Sequence, residues 1–232
     1  MIASMIKHVK PSLIAACFLA VAIVLDLYAC LASIRPLEVV VKPLLMSLLA
    51  LTSAAWLMEH GGERRTVTLL MAAQLLGCAG DTLLMGSGLP FFGAGMGAFL
   101  AGHICYLCLF GKKAWPGLGR KVWIPALLVM AGVLLVVVRV IGIQGALLAP
   151  MLIYGFALLL LIFSGLCGVV RLREGLTWWM ILAGGVLFTV SDAIIALRTF
   201  GLEETPALGF TIMLTYILAQ ISLAFGACRL ND

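Results

Sequence analysis

Three aspartates, a lysine and a histidine lie inside long apolar stretches of this sequence, where a charged group is costly. They are Asp26, Asp81, Asp192, Lys42 and His103. Insertion scales put the cost of an Asp, Lys or Arg at the centre of a membrane helix at about 2.5 to 3.5 kcal/mol. Side chains retained at that cost pair with one another or serve a function. These residues are therefore the candidates for the chemistry of the protein.

Two carboxyl groups in one apolar site can divide the work of acid and base. Apolar surroundings favour the neutral form of a carboxyl group, and two close carboxyl groups resist ionising together. We expect this arrangement of Asp81 and Asp192. The alternative is a buried polar network that only fixes helix register, and this role fits Asp26 best because no motif surrounds it.

Metal or disulfide chemistry is not indicated by the remaining residue types. His8 and His60 lie outside the apolar core, so they cannot complete a three-histidine zinc site with His103. The seven cysteines all fall in or beside apolar stretches, including the single C-x-x-C of Cys105 and Cys108. A thiol in such a place behaves as a small hydrophobic group. We expect no metal and no other cofactor.

The composition shows which elements must position these side chains. Hydrophobic residues make up 64% of the 232 residues and charged residues 11%, with a mean hydropathy of +1.20. Soluble domains have about 25% charged residues and roughly 45 to 50% apolar ones. The chain is therefore predicted to be one transmembrane domain over residues 1–232, all-α, without a separate soluble domain.

About 20 apolar residues are needed to cross the hydrocarbon core of a bilayer. Eight such stretches can be counted, so the sequence predicts a polytopic bundle of eight helices. They are Ser12–Ser33, Leu37–Met58, Thr66–Met85, Pro90–Gly111, Lys121–Val140, Ala146–Val170, Thr177–Phe200 and Pro206–Cys228. The first stretch also resembles a signal peptide, but it is long for one and contains Asp26.

Basic residues report the orientation of such a bundle, because Lys and Arg are retained on the cytoplasmic side. The end with both termini holds Lys7, Lys10, Arg64, Arg65, Lys112, Lys113, Arg120, Lys121, Arg171, Arg173 and Arg229. The other end holds Arg35, Lys42, Arg139 and Arg198. Both termini are therefore predicted to be cytoplasmic, in a bacterial inner membrane. The net charge of +5 reflects this topology, and no nucleic-acid partner is expected.

The rise of about 1.5 Å per residue places several polar groups in the non-cytoplasmic half of the bundle. Besides the aspartates and Lys42, the side chains that can hydrogen-bond at such depths include Tyr154, Tyr216 and Gln220. We expect these groups to meet in one polar pocket. Small neighbours such as Gly80 and Gly184 either let helices pack closely or leave room for a ligand.

A weak internal repeat is consistent with two parallel halves of four helices each. Gly80-Asp81 in the third stretch corresponds to Ser191-Asp192 in the seventh, and Lys42-Pro43 corresponds to Ala149-Pro150. The two aspartates would then occupy equivalent places in the two halves.

In its motifs the chain resembles the YhhN-like lysoplasmalogenases, a family of eight-helix membrane hydrolases. The resemblance covers nearly the whole chain in order, although the first stretch matches poorly and Asp26 inherits no role. The matching segments are Lys42–Leu45, Gly80–Leu84, Phe92–Tyr106 with Phe99, His103 and Tyr106, Pro150–Tyr154, Phe188–Asp192, and Tyr216–Gln220.

The resemblance implies cleavage of the vinyl ether bond of a lysoplasmalogen, giving a fatty aldehyde and a glycerophospho-ethanolamine or glycerophospho-choline. Asp81 and Asp192 would be the catalytic acids, with either one as the proton donor. The residues expected around the substrate or water are Lys42, His103, Tyr106, Tyr154, Ser191, Tyr216 and Gln220. Lys42 would lie near the phosphate or tune an aspartate. The expected partners are a lysophospholipid and membrane lipid.

Two other functions fit the same residues. A proton-coupled small-molecule transporter also uses carboxylates, His and Lys within its helices, and the weak repeat would suit it. Against it, the sequence lacks matched Gly/Pro-broken helices. The third possibility is a membrane protein that binds lipid without catalysis.

Overall fold

The fold is an eight-helix bundle in a computed structural model, which describes residues 10–172 and 175–230. All eight helices are long and apolar enough to cross a membrane. The helices are α1 Pro11–Ala32, α2 Arg35–Glu59, α3 Arg64–Leu84, α4 Leu89–Ala114, α5 Arg120–Ile141, α6 Leu148–Cys167, α7 Leu176–Thr199 and α8 Pro206–Arg229. The predicted spans are confirmed to within a few residues at each end. Lys7, His8 and Arg173 lie outside the described residues.

Turn chemistry sets the helix ends. Prolines open four of the helices in their first turn, where the missing N–H would have no partner. Thr205 caps α8 by accepting a hydrogen bond from the Leu208 amide at 3.2 Å. A short 3-10 turn, Gly145–Leu147, precedes α6, and a π turn, Gly168–Leu172, follows it. The sixth predicted span is therefore one continuous helical segment with three types of winding.

The helices form a ring with one helix outside it. Contacts run from α1 through α2 and α3 to α4, cross to α6, and return through α7 and α8 to α1. α8 also touches α2, α3 and α4, so it lies nearest the centre. α5 packs chiefly against α6, and Met130 is the one buried residue of its described range. In two halves of four helices, α5 would be the counterpart of α1. The packing of α5 is not comparable to that of α1, so the packing gives no support to the two-half repeat, which stays a prediction.

Basic side chains connect the helices at the end of the bundle where α1 begins and α8 ends. Lys113 on α4 donates a hydrogen bond to the Leu230 carbonyl. Arg171 donates to the carbonyls of Ala114 and Pro116, at 2.8 and 3.0 Å. We call this the basic end. At the same end Glu59 accepts two hydrogen bonds from Ser12, at 2.9 Å from its amide and 2.6 Å from its hydroxyl.

Candidate active site

A polar cavity of about 800 Å³ opens at the end of the bundle opposite the basic end. Its sides are formed by the outer ends of α2, α3, α4, α7 and α8 and by the loops beside them. Asp81, Asp192, Lys42, Ser191 and Tyr216 all line it. The structure therefore brings these predicted site residues together in one cavity, although they come from four helices.

Asp81 lies at the last turn of α3 and is braced by a buried chain of hydrogen bonds. The Tyr216 hydroxyl donates to its Oδ2 at 2.8 Å. Gln220, one turn further along α8, donates through Nε2 to the Tyr216 hydroxyl at 3.4 Å. The Tyr106 hydroxyl on α4 donates to Gln220 Oε1 at 2.7 Å. We call Tyr106, Gln220 and Tyr216 the tyrosine–glutamine chain.

The i, i+4 spacing of Tyr216 and Gln220 explains why they form a column on one face of α8. Tyr106 and Gln220 are almost fully buried, at 1% exposure each, and neither lines the cavity. They contact the site through Tyr216 alone. That these two residues orient substrate or water stays a prediction, and their contacts fit a positioning role through Tyr216.

Asp192 on α7 has a simpler environment. The Tyr154 hydroxyl on α6 donates a hydrogen bond to its Oδ2. Ser191, the preceding residue, is fully buried and donates to the Ile212 carbonyl on α8 at 3.1 Å. Ser191 thus joins α7 to α8, while Asp192 faces the opposite neighbour α6. Each aspartate accepts a hydrogen bond from a tyrosine on a different helix.

Asp192 also borders a second space, an apolar crevice of about 140 Å³ chiefly between α4, α5, α6 and α7. Its lining is apolar except for Asp192, Tyr154 and Thr189. Asp81 does not line this crevice. The two carboxyl groups share the polar cavity, but Asp192 alone of the two lies where the polar and apolar spaces meet.

Three aromatic rings pack together at the inner end of the polar cavity, and two of them, Phe99 and Tyr216, line it. Phe99, Phe188 and Tyr216 meet edge to face, with ring centroids 5.4 to 6.0 Å apart. They lie ten or eleven residues from the outer ends of their helices, which is roughly 15 Å and thus near the middle of a bilayer. We call these rings the aromatic floor. Gly80 makes room for it, since a Cβ there would lie 2.7 Å from the Phe99 ring.

His103 lies behind the aromatic floor and does not line the cavity. Its ring packs on Phe188, with centroids 4.4 Å apart, and on Tyr154, at 5.5 Å. Nδ1 lies 2.7 Å from the Phe99 carbonyl, and Nε2 has no hydrogen-bond partner among the described residues. That His103 orients substrate or water stays a prediction. Its contacts fit positioning of Tyr154 and the floor.

Lys42 pairs with Glu38 one turn before it on α2, with Nζ and Oε1 2.7 Å apart. Arg35 also reaches Glu38, at 3.4 Å, and Arg198 pairs with Glu204 at 3.1 Å. All five side chains line the outer part of the cavity. Sequence reasoning missed Glu38 and considered Arg198 only as one of the basic residues that report orientation. The i, i+4 spacing of Glu38 and Lys42 was the available signal.

Asp26 is fully buried, and neither of its carboxyl oxygens has a hydrogen-bond partner among the described residues. It does not line the polar cavity, although Cys30, one turn further along α1, does. The expected convergence of all three acids in one pocket therefore holds for Asp81 and Asp192 only. Depth along a helix did not reveal which way Asp26 faces.

Gly80 and Gly184 allow close packing, because a neighbouring side chain occupies the space that a Cβ would need. A Cβ on Gly184 would lie 2.7 Å from Leu223 of α8, just as one on Gly80 would meet Phe99. None of the seven cysteines forms a disulfide within the described residues. Within residues 10–172 and 175–230 no three His, Cys, Asp or Glu side chains cluster as metal ligands would. The chemical groups of the site are thus two carboxyls, each bound to a phenol hydroxyl, beside charged groups of both signs.

Comparison with known proteins adds independent information. The model of the YhhN family matches residues 37–227. The chain is 28% identical to lysoplasmalogenase TMEM86B of Homo sapiens over 185 residues, which cover 79% of this chain and 73% of that protein. It is 31% identical to the lysoplasmalogenase of Mycobacterium tuberculosis (strain CDC 1551 / Oshkosh) over 195 residues, covering 80% and 69%. No solved structure matches it.

Proposed function

The chain belongs to the YhhN family, and from this premise we propose that it is a lysoplasmalogenase-type hydrolase that uses Asp81 and Asp192 as its catalytic acid–base pair. Relatives named lysoplasmalogenase support the activity. The observation that carries the residue assignment is the position of the two carboxyl groups. Both line one cavity, and each accepts a hydrogen bond from a tyrosine on another helix.

The reaction follows from the chemistry of a vinyl ether. An acid protonates the β-carbon of the O–CH=CH unit, and the oxygen lone pair stabilises the resulting oxocarbenium ion. Water adds to the α-carbon and loses a proton to the second carboxylate, which gives a hemiacetal. The second carboxyl group then returns this proton to the glycerol oxygen as the bond from that oxygen to the hemiacetal carbon breaks. The hemiacetal hydroxyl gives its proton to the first carboxylate, which releases a fatty aldehyde and the glycerophospho-headgroup and restores the acid. Glycosidases use two carboxyl groups for a similar cation.

We assign the proton donor to Asp192. In the substrate the β-carbon is on the hydrocarbon side of the ether oxygen, and the glycerol is on the polar side. Asp192 borders the apolar crevice as well as the polar cavity, whereas Asp81 borders the polar cavity only. A substrate with its headgroup in the cavity would thus present its β-carbon to Asp192. Asp81 would then stabilise the cation and accept the proton from water.

The charged groups at the outer part of the cavity suit a zwitterionic headgroup. Phosphoethanolamine and phosphocholine carry a phosphate and an ammonium group a few bonds apart. Arg35, Lys42 and Arg198 supply positive charge, and Glu38 and Glu204 supply negative charge beside them. We place the phosphate against the basic groups and the ammonium against the acidic ones. Charge-assisted hydrogen bonds of this kind are stronger than neutral ones.

The other predicted residues divide into those on the cavity and those behind it. Tyr154 and Tyr216 hold the reactive carboxyl groups, and Ser191 fixes α7 against α8 beside Asp192. Tyr106 and Gln220 position Tyr216, and His103 positions Tyr154. We therefore propose direct substrate contact for Lys42 and positioning roles for Ser191, His103, Tyr106 and Gln220.

The placement in the membrane is part of the same proposal. The basic end of the bundle is expected to face the cytoplasm, so the cavity would open on the other side. Substrate would then enter from the non-cytoplasmic leaflet. Location in a bacterial inner membrane stays a prediction.

The test compares two lipids on detergent-purified protein. One is a lysoplasmalogen, and the other is its saturated alkyl-ether analogue, with the same headgroup and chain length. We expect aldehyde from the vinyl ether only, and loss of that release in Asp81→Asn and Asp192→Asn variants that retain the wild-type thermal transition. Normal release by both variants would overturn the residue assignment. A transporter or a lipid-binding protein would release no aldehyde from either lipid.

A further inference from the structure

The apolar crevice adjoins the polar cavity. The residues that line both spaces are Leu84, Phe92, Phe99, Asp192 and Ile195. Asp192 is the one ionisable residue among these five, so it lies at the border between the polar and the apolar lining. A single molecule with one polar and one apolar end could occupy both spaces at once.

The crevice extends deep into the bundle along α5 and α6. Its lining on α5 runs from Ile141 to Val133, and on α6 from Met151 to Leu159. At about 1.5 Å per residue these stretches each span roughly 12 Å along the helix axes. Thus the crevice is an elongated space that runs parallel to the direction in which a lipid chain lies in a bilayer.

The outer side of the crevice is α5, the helix outside the ring. At Gly155 of α6 the two helices come close, since a Cβ there would lie 2.8 Å from the Leu134 side chain. Val133 and Val137 of α5 line the crevice and are also partly exposed, at 41% and 38%. α5 therefore separates the crevice from the surrounding lipid only in part.

We propose that this crevice binds the hydrocarbon chain of the substrate, with α5 as its wall toward the bilayer. The inference rests on the proposed function and adds the site for the chain. Three observations favour this occupant: the apolar lining, the border shared with a cavity that carries charges of both signs, and the depth along α5. The chain then fixes the vinyl ether against Asp192, and chain length becomes a determinant of specificity.

Adjacent valines on α5 offer a matched pair for the test. Val137 lines the crevice, whereas Val136 is 62% exposed and lines neither space. Val137→Trp would fill the crevice, and Val136→Trp would add the same volume on the lipid side. The substrates are two lysoplasmalogens with one headgroup, one with a long alkenyl chain and one with a chain too short to pass Val137.

For the long-chain substrate we expect Val137→Trp to lower kcat/KM by about tenfold or more, with a much smaller loss for the short-chain substrate. Val136→Trp should leave both values within about twofold of wild type. Equal losses for long and short chains, or equal losses in the two variants, would overturn the proposal. All rates are compared among variants with the same thermal transition in detergent.

A second measurement tests the crevice without catalysis. The probe is a saturated 1-O-alkyl lysophospholipid with a diazirine at the end of its chain, photolysed with the wild-type protein in lipid nanodiscs. We expect peptide adducts on residues 133–141 of α5 and 151–159 of α6, reduced in Val137→Trp. Adducts spread evenly over the lipid-facing helices would overturn the proposal. Crevice adducts in a protein that releases no aldehyde would refute the proposed function and leave the lipid site intact.

Discussion

Asp81 and Asp192 have similar local partners but very different surroundings. Each lies in the outer half of its helix and accepts a hydrogen bond from a tyrosine. Behind Asp81 stands the tyrosine–glutamine chain, anchored on the central helix α8. Beside Asp192 lies the apolar crevice, closed on its far side by the peripheral helix α5. One half of the site is thus fixed by a polar network, and the other half borders a space that a chain can fill.

The difference indicates how one cavity can suit two carboxyl groups with different roles. A carboxyl group that handles water benefits from fixed orientation, which a network of buried hydrogen bonds provides. A carboxyl group that meets the hydrocarbon end of a lipid benefits from an apolar neighbour. Substitutions on the two sides should therefore have different effects.

The largest expected effect separates the two aspartates themselves. We expect Asp192→Asn to lower kcat for aldehyde release by about 10³- to 10⁴-fold and Asp81→Asn by about 10²-fold. Protonation of carbon needs the acid, whereas an oxocarbenium ion reacts readily with water. The measurement is single-turnover aldehyde release from a lysoplasmalogen. A loss in Asp81→Asn that equals or exceeds that in Asp192→Asn would reverse the assignment of the proton donor.

The next effect concerns the tyrosines. Tyr154→Phe removes a hydrogen bond to the carboxyl group of Asp192 and should lower kcat by about 10- to 100-fold. Hydrogen bonds to a charged group, such as an ionised carboxylate, are worth about 1.5 to 3 kcal/mol. Tyr106→Phe should lower kcat about 2- to 10-fold, since it acts on Asp81 only through Gln220 and Tyr216.

Tyr28 provides the control for both tyrosine variants. It lies on α1 with 57% of its surface exposed and lines neither space. Tyr28→Phe should therefore retain wild-type kcat. An unchanged kcat in Tyr106→Phe would show that the tyrosine–glutamine chain has no influence on catalysis.

Packing provides a third contrast between the two sides. In Gly184→Ala the new Cβ would lie 2.7 Å from Leu223, at the contact of α7 with α8. Overpacking of this kind costs about 1 to 3 kcal/mol. A Cβ added at Gly132 on α5 would meet no described atom within 4 Å, so Gly132→Ala should stay within about 1 kcal/mol of wild type. The free energy of unfolding in mixed micelles measures both, and equal values would contradict the looser packing of α5.

The smallest effect on the kinetics is expected at the charged outer part of the cavity, which belongs to both the Asp81 side and the Asp192 side of the site. Glu38→Gln removes the partner of Lys42 and should raise KM about 2- to 5-fold with kcat unchanged, because such pairs are worth roughly 0.2 to 1 kcal/mol. Glu59→Gln at the basic end, where Glu59 binds Ser12, should leave KM unchanged. A fall in kcat for Glu38→Gln would mean that the pair acts on the reacting groups.

The sequence predicted the helices well and their mutual arrangement poorly. Length and apolarity determine which segments cross a membrane, so all eight spans were found. The ring order and the position of α5 outside it could not be predicted, because lipid and protein interior are both apolar and a helix carries little sign of which face is buried. The valine-rich face of α5 would suit contact with lipid and contact with other helices equally well.

The same limit explains the partial success at the site. Asp81, Asp192, Lys42, Ser191 and Tyr216 share one cavity as expected. Their depth could be calculated from the rise per residue, but the direction of each side chain around its helix could not. Asp26 and His103 have suitable depths and face elsewhere. The pairing of Tyr216 with Asp81 and of Tyr154 with Asp192 required the contacts of α8 with α3 and of α6 with α7.

The aromatic floor has a consequence for the insulation of the membrane. A polar cavity that reaches the middle of a bilayer leaves only about half of the hydrocarbon thickness at that point. Phe99, Phe188 and Tyr216 pack edge to face at that depth. In the proposed mechanism acidic groups work beside them, so the packed rings would have to keep water, and the protons that it carries, from crossing the rest of the bilayer.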